Sequence, residues 1–205
     1  MIVSHLEWVW HIRRQMELET EHTGKLFLNL QAFDGNMRDH IFEDCVFERC
    51  DFKGVDLERS RFLSCTFTSC DLSNAKFTNA RIRKVLFQGC KLIGVQWVQL
   101  DEIVNSAFQE CNLNYCNFLG LKLKKIQFSK SSLRDADLSQ ADLSESDFRE
   151  TDLLNTRFHE TSLMKADFRG ARNYEINPIH NKVQGARFTM PEALGLITGL
   201  GVVIE

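Results

Sequence analysis

The sequence predicts an all-β solenoid, a tube wound from five-residue repeats, with short helical caps at both ends. Three observations predict it. Large apolar residues recur at every fifth position over most of the chain. The position two before each of them is mostly small. All seven cysteines fall on that second position.

The large residues form two blocks. The first runs in register from Phe42 to Trp97 and the second from Ile103 to Phe168, with one residue inserted between Trp97 and Ile103. A period of five matches neither a helix at 3.6 nor a strand at 2. On a helix these side chains would be smeared around the whole surface. The chain must instead turn at a fixed interval and return each large residue to one interior. The second inward position holds Cys45, Cys50, Val55 and Ser60 in the first block, and Ser131, Ala136, Ala141 and Ser146 in the second. One large and one small inward residue per repeat describe a narrow tube filled by its own side chains. The positions between them are polar or charged and suit solvent.

The stretch ADLSQADLSESDFRETDL, residues 135–153 less the leading Asp135, carries the pattern A(D/N)LXX and resembles the pentapeptide-repeat family. The resemblance covers roughly residues 37–188. It implies a right-handed quadrilateral β-helix with four repeats per coil and one per face. Twenty-six repeats then make about six and a half coils, a rod of roughly 30 Å at ~4.8 Å per coil. With twenty residues per coil, Cys50, Cys70 and Cys90 stack on one face, and Cys111 joins them once the insertion is counted. Cys45 and Cys65 stack on the next. These thiols read as packing residues, because free Cys behaves as a small buried hydrophobe and no Cys/His cluster accompanies them.

The domain plan is a helical cap or extension over 1–25, the β-helix over 26–188, and a C-terminal helix and strand over 189–205. In the first segment Ser4 and Glu7 fit a capping box, and Leu6, Val9, Trp10 and Met16 form an apolar stripe on a helix to about Glu19. The repeat stops at Asn173, where a large apolar residue is expected. Beyond it, Pro191 opens a short helix with Leu194, Ile197 and Leu200 on its apolar face, and Val202, Val203 and Ile204 form a short strand.

The segment from Tyr174 to Ile204 resembles the C-terminal end of the topoisomerase-protecting members of the family, the quinolone- and albicidin-resistance types. GVQW at Gly94–Trp97 and FEDCVF at Phe42–Phe47 are also similar to the albicidin-resistance type. The resemblance implies a tail-to-tail homodimer through Pro191, Leu194, Ile197, Leu200 and Val202–Ile204. It also implies a function: binding DNA gyrase or another type II topoisomerase by mimicry of duplex DNA, and shielding it from inhibitors. A general interaction scaffold with an unrelated partner is the alternative.

Charge limits that mimicry. The chain carries 28 acidic and 25 basic residues, so it is neither a polyanion nor a basic nucleic-acid binder as a whole. Residues 131–170 carry nine acidic and five basic side chains, and residues 76–130 carry three and nine. The acidic coils of Asp137, Asp142, Glu145, Asp147, Glu150, Asp152 and Asp167 are therefore the candidate partner-binding surface. The basic middle coils have no assigned role.

Nothing points to catalysis. The six histidines are scattered, and none lies in a metalloprotease, triad or phosphate-loop context. Asp137, Asp142, Asp147 and Asp152 fall on successive faces and surround the tube instead of pairing for acid–base work. No metal, cofactor or small-molecule substrate is expected. No apolar run approaches a membrane span, no signal peptide is read, and reduced thiols point to the cytoplasm.

Overall fold

The structure is a computed structural model that describes residues 19–31, 36–198 and 200. It is a parallel β-solenoid with four faces. Face 1 is a sheet of β1 (Glu21–Thr23), β3 (Ile41–Glu43), β5 (Arg61–Leu63), β7 (Arg81–Arg83) and β9 (Glu102–Val104). Face 2 is a sheet of β2 (Leu26–Leu28), β4 (Val46–Glu48), β6 (Thr66–Thr68), β8 (Leu86–Gln88) and β10 (Ala107–Gln109). Faces 3 and 4 are ladders of single parallel bridges. Asp51, Asp71, Lys91, Asn112, Ser132, Asp152 and Arg172 follow one another down face 3, and Asn117, Asp137 and Arg157 belong to face 4.

Partners lie twenty residues apart, as in Phe47↔Phe67, except across the inserted residue, where they lie twenty-one apart, as in Phe87↔Phe108; beyond it the spacing is twenty again, as in Ala107↔Gln127. The insertion is absorbed by a 3-10 turn at Trp97–Gln99. Single bridges carry the stack on as far as Asp167↔Arg187. The rod is longer than the repeat count implied, roughly 40 Å at ~4.8 Å per coil. The difference at the N-terminal end has a clear cause. His22, Phe27 and Met37 occupy large inward positions, and β1 starts at Glu21, five residues before the expected boundary at 26. A histidine and a methionine there did not look like members of a Phe/Leu series.

The core is one continuous column of side chains. On face 2 every large inward residue is phenylalanine, from Phe27 to Phe188, with successive rings stacked 4.4–5.5 Å apart. Trp97 stacks between Phe77 at 5.1 Å and Phe118 at 5.8 Å on face 4. Offset and edge-on ring contacts add to the area each ring buries. The seven thiols are free, buried and inward, as their spacing predicted. Each Sγ–H donates to a carbonyl of the preceding coil, for example Cys65 to Phe42 and Cys116 to Leu92. Burial pushes the Cys116 thiol up to about 12, so it stays protonated.

The corners explain the polar positions. Outside the 3-10 turn after Trp97, the residue two after each large one of the two blocks takes a left-handed conformation, as at Arg59, Tyr115 and Lys125. Residues other than Gly, Asn or Asp pay for this geometry, and at Arg59, Tyr115 and Lys125 the N–H offsets it with a hydrogen bond to the next coil. At Gly94, where φ is +73°, an added Cβ would be strained and would lie 2.5 Å from Asn74 Oδ1, so the Asn74 side chain would have to move aside.

The C-terminal helix spans Leu194–Thr198 and is shorter than predicted. Pro191 does not open it. The Met190–Pro191 peptide is cis, and residues 191–193 form turns that lead into the helix. Leu196, absent from the predicted apolar face, is the helix residue that packs on the core. The predicted N-terminal helix and the strand Val202–Ile204 lie outside the described residues.

Candidate interaction surfaces

The predicted acidic coils are spread over all four faces. Asp142 and Glu145 lie on face 1, Asp147, Glu150 and Asp167 on face 2, Asp152 on face 3 and Asp137 on face 4. Their local role is largely structural. Oδ1 of Asp137, Asp142, Asp147 and Asp167 accepts the backbone N–H two residues on, at 3.0–3.1 Å. Asp51, Asp56 and Asp71 do the same. The carboxylate thereby closes the turn that the repeat needs at each corner, which is why Asp and Asn recur before the large residue.

Most of these carboxylates also have a cation beside them. Arg149 and Arg169 fold back on Asp147 and Asp167 at 2.7 and 2.6 Å. Lys124 and Lys125 reach Glu145 at 3.0 and 3.6 Å, and Arg157 lies 3.5 Å from Asp137. The Arg169 hydrogen bond holds Asp167 below the usual carboxylate range, and the Lys124 hydrogen bond does the same for Glu145. No face of these coils presents an uncompensated row of negative charge, so the regional excess of acid does not become an acidic stripe.

Asp152 is not a surface residue. It is buried, and its carboxylate accepts hydrogen bonds from Arg134 at 2.6 Å, Arg172 at 3.1 Å and Asn173 at 2.9 Å. Burial raises its pKa, but these three donors outweigh it and hold the group at about 2. Asn173 ends the repeat where an apolar residue is expected, and its side chain turns instead to Asp152. The sequence signal was present in that single polar residue at a large inward position.

The basic middle coils are not a belt. Arg81, Arg83, Lys84, Lys122, Lys124 and Lys125, six of the nine basic residues in 76–130, share face 1. A period of twenty applied to the charges would have found this in the sequence.

The histidines are less scattered than they read. His22 and His40 are buried at the N-terminal end of the described rod, with His22 Nε2 3.2 Å from His40 Nδ1. Burial, aided by Lys25 and by His40 itself, pulls His22 down to about 4, and burial lowers His40 as well. Both are therefore neutral in the folded chain at neutral pH. Unfolded histidines take up protons below ~6.5. Stability is thus complete above that value and falls as pH drops from there through about 4. Thermal unfolding followed from pH 7.5 to 4.5 is expected to show this loss, and His22→Phe, which extends the ring stack toward Phe42, is expected to flatten it. His159 and His180 also meet, with ring centroids 5.7 Å apart, but both are exposed. Among the described residues no cluster of three or more His, Cys, Asp or Glu could hold a metal ion.

At the C-terminal end, Pro191, Ile197 and Leu200 of the predicted interface lie on the surface, and Val202–Ile204 lie outside the described residues. Ile197 and Leu200 are 38% and 51% exposed, Met190 is 67% exposed, and Leu194 is half-buried. Among the described residues no helix is long and apolar enough to cross a membrane.

Comparison with known proteins agrees with this geometry. A pentapeptide repeat region model matches residues 40–118, and a model of eight pentapeptide repeats matches residues 131–170. No curated protein matches the chain at a significant level. Among solved structures, trypsin-treated QnrB1, a plasmid-mediated fluoroquinolone resistance protein, is 21% identical with a TM-score of 0.64, covering 90% of this chain and 100% of that one. Full-length QnrB1 is 19% identical with a TM-score of 0.57, covering 89% and 100%. HetL, a protein involved in heterocyst differentiation regulation in the cyanobacterium Nostoc, is 15% identical with a TM-score of 0.58, covering 86% and 90%. At these identities the likeness speaks to the fold. The two family models between them span more than half of the chain, and the chain belongs to the pentapeptide-repeat family.

Proposed function

We propose that this protein is a non-catalytic binding rod that engages DNA gyrase or another type II topoisomerase and protects it from an inhibitor. The observation that carries the reading is the match over the whole length of QnrB1, a fluoroquinolone resistance protein, by a rod that ends in an exposed apolar tail. Met190, Ile197 and Leu200 support self-association through that tail, because a surface that apolar is normally covered. Two rods joined there form one elongated ligand of roughly duplex proportions.

Mimicry of DNA is partial in this reading. Most of the candidate carboxylates of the C-terminal coils are matched by arginine or lysine, so shape contributes more than negative field. The cationic face 1 favours a second reading, a scaffold for an unrelated partner, and the fold likeness to HetL is compatible with it.

Gyrase supercoiling with and without a fluoroquinolone or albicidin tests the proposal. Purified protein is expected to restore supercoiling in the presence of at least one drug. An Ile197→Asp, Leu200→Asp variant is expected to be monomeric by light scattering and to lose that rescue. Supercoiling unaffected by the protein in every arm overturns the topoisomerase reading and leaves the scaffold.

A further inference from the structure

The coil ladder is broken at one place on face 1. β9 pairs with β7 on one side, and the sheet ends there. Among the described residues no backbone hydrogen bond joins residues 102–104 to residues 121–124 of the next coil. On the flanking faces the ladder continues through Gln96↔Asn117 and Ala107↔Gln127, and on face 1 it resumes at Lys122↔Asp142.

The cause lies in the side chains. Leu121 occupies the inward position that is usually Ala, Ser or Cys, and Leu100 presses in from the inserted residue. Two leucines where the repeat makes room for small groups hold the coils apart. The result is a groove of about 380 Å³ lined by Leu100–Val104 and Gly120–Lys122. Its floor is apolar, its rim includes exposed Val104, and one wall is the unpaired edge of β9.

The charge around the groove is positive. Asp101 and Glu102 are already held by Arg81 and Arg83, and Glu145 is shared by Lys124 and Lys125. Lys122, in the lining, and Lys84, on the neighbouring coil, have no carboxylate within ion-pair distance among the described residues. With Asp142, the ladder neighbour of Lys122, four carboxylates answer six cations on this stretch of face 1.

We infer that this groove docks an extended acidic segment of a partner protein, with an aliphatic side chain in the groove and carboxylates over Lys84 and Lys122. The occupant follows from three local features acting together. The cationic rim selects an anionic ligand. The Leu100, Ile103 and Leu121 floor selects one with an apolar side chain, which a phosphodiester backbone lacks. The open strand edge selects one with backbone groups able to pair. The site is independent of the topoisomerase reading, since it uses neither the acidic coils nor the C-terminal tail.

Fluorescence anisotropy with a labelled Asp/Glu-rich peptide carrying one central leucine tests it directly, alongside its Leu→Ser form, a lysine-rich counterpart and a single-stranded oligonucleotide. The acidic leucine peptide is expected to bind the full chain, and the lysine peptide is not. Lys84→Glu with Lys122→Glu is expected to weaken binding about tenfold or more, and Leu→Ser in the peptide about fivefold. Both substitutions are on exposed side chains, and an unchanged far-UV circular dichroism spectrum separates lost binding from lost folding. No binding of the acidic peptide, equal binding by the double variant, or an oligonucleotide that binds as tightly while Leu→Ser has no effect, each overturns the assignment.

Discussion

Replacing Phe118 with Asp is expected to abolish the cooperative folded state. The ring is fully buried, 5.8 Å from Trp97 and 5.5 Å from Phe128. Losing a buried phenylalanine costs about 3–5 kcal/mol, and a carboxyl group left without partners in its place adds several more. That total is comparable to the whole stability of an ordinary domain, about 5–15 kcal/mol. A solenoid has no alternative core, because each coil packs only on its neighbours. Circular dichroism melts provide the measurement. Phe118→Leu is expected to melt cooperatively at a lower temperature. Arg83→Glu is expected to stay folded, because it loses only a surface pair with Glu102. A cooperative Phe118→Asp melt near that of the parent would mean that the ring column does not hold the rod together.

Asp152→Ala is expected to cost about 3 kcal/mol, far more than any of the other predicted acidic site residues. Its loss leaves Arg134, Arg172 and Asn173 without their common acceptor where the repeat ends. The pH dependence distinguishes this from a generic packing defect. The folded carboxyl titrates at about 2, below the ordinary value of 3.8. Its contribution is therefore fully present above about 4 and is lost as pH falls through about 2. Denaturant unfolding at pH 7 and at pH 2.5 is expected to show a large gap between Asp152→Asn and the parent at the first and a smaller gap at the second. Asp147→Ala at pH 7 serves as the comparison. Its carboxylate is held by its own neighbour Arg149, and a cost of about 1 kcal/mol is expected.

Much of the fold was legible because the repeat is short and its inward positions are strict. The five-residue period located each large side chain from Phe42 to Phe168, and the one-residue slip after Trp97 reappears as a 3-10 turn and a single coil of twenty-one residues instead of twenty. The first coils were missed because His22 and Met37 sit in slots that the pattern reserves for Phe and Leu. The site was less legible. Asp137, Asp142, Asp147 and Asp167 were chosen as surface charge, yet each closes its own turn. A carboxylate that caps a corner and one that awaits a partner have the same letter in the sequence.

The sequence by itself determined the tube, its filling and the place of every cysteine, because those depend on side-chain size at a fixed interval. Only the tertiary structure decided which charges become neighbours. Residues twenty apart are brought to adjacent rungs, so six of the nine basic residues of the middle coils gather on one face while the acidic ones are dispersed and mostly paired with arginine or lysine. It also decided where the ladder opens. That depends on whether Leu100 and Leu121 fit between two coils, which is a matter of packing in three dimensions.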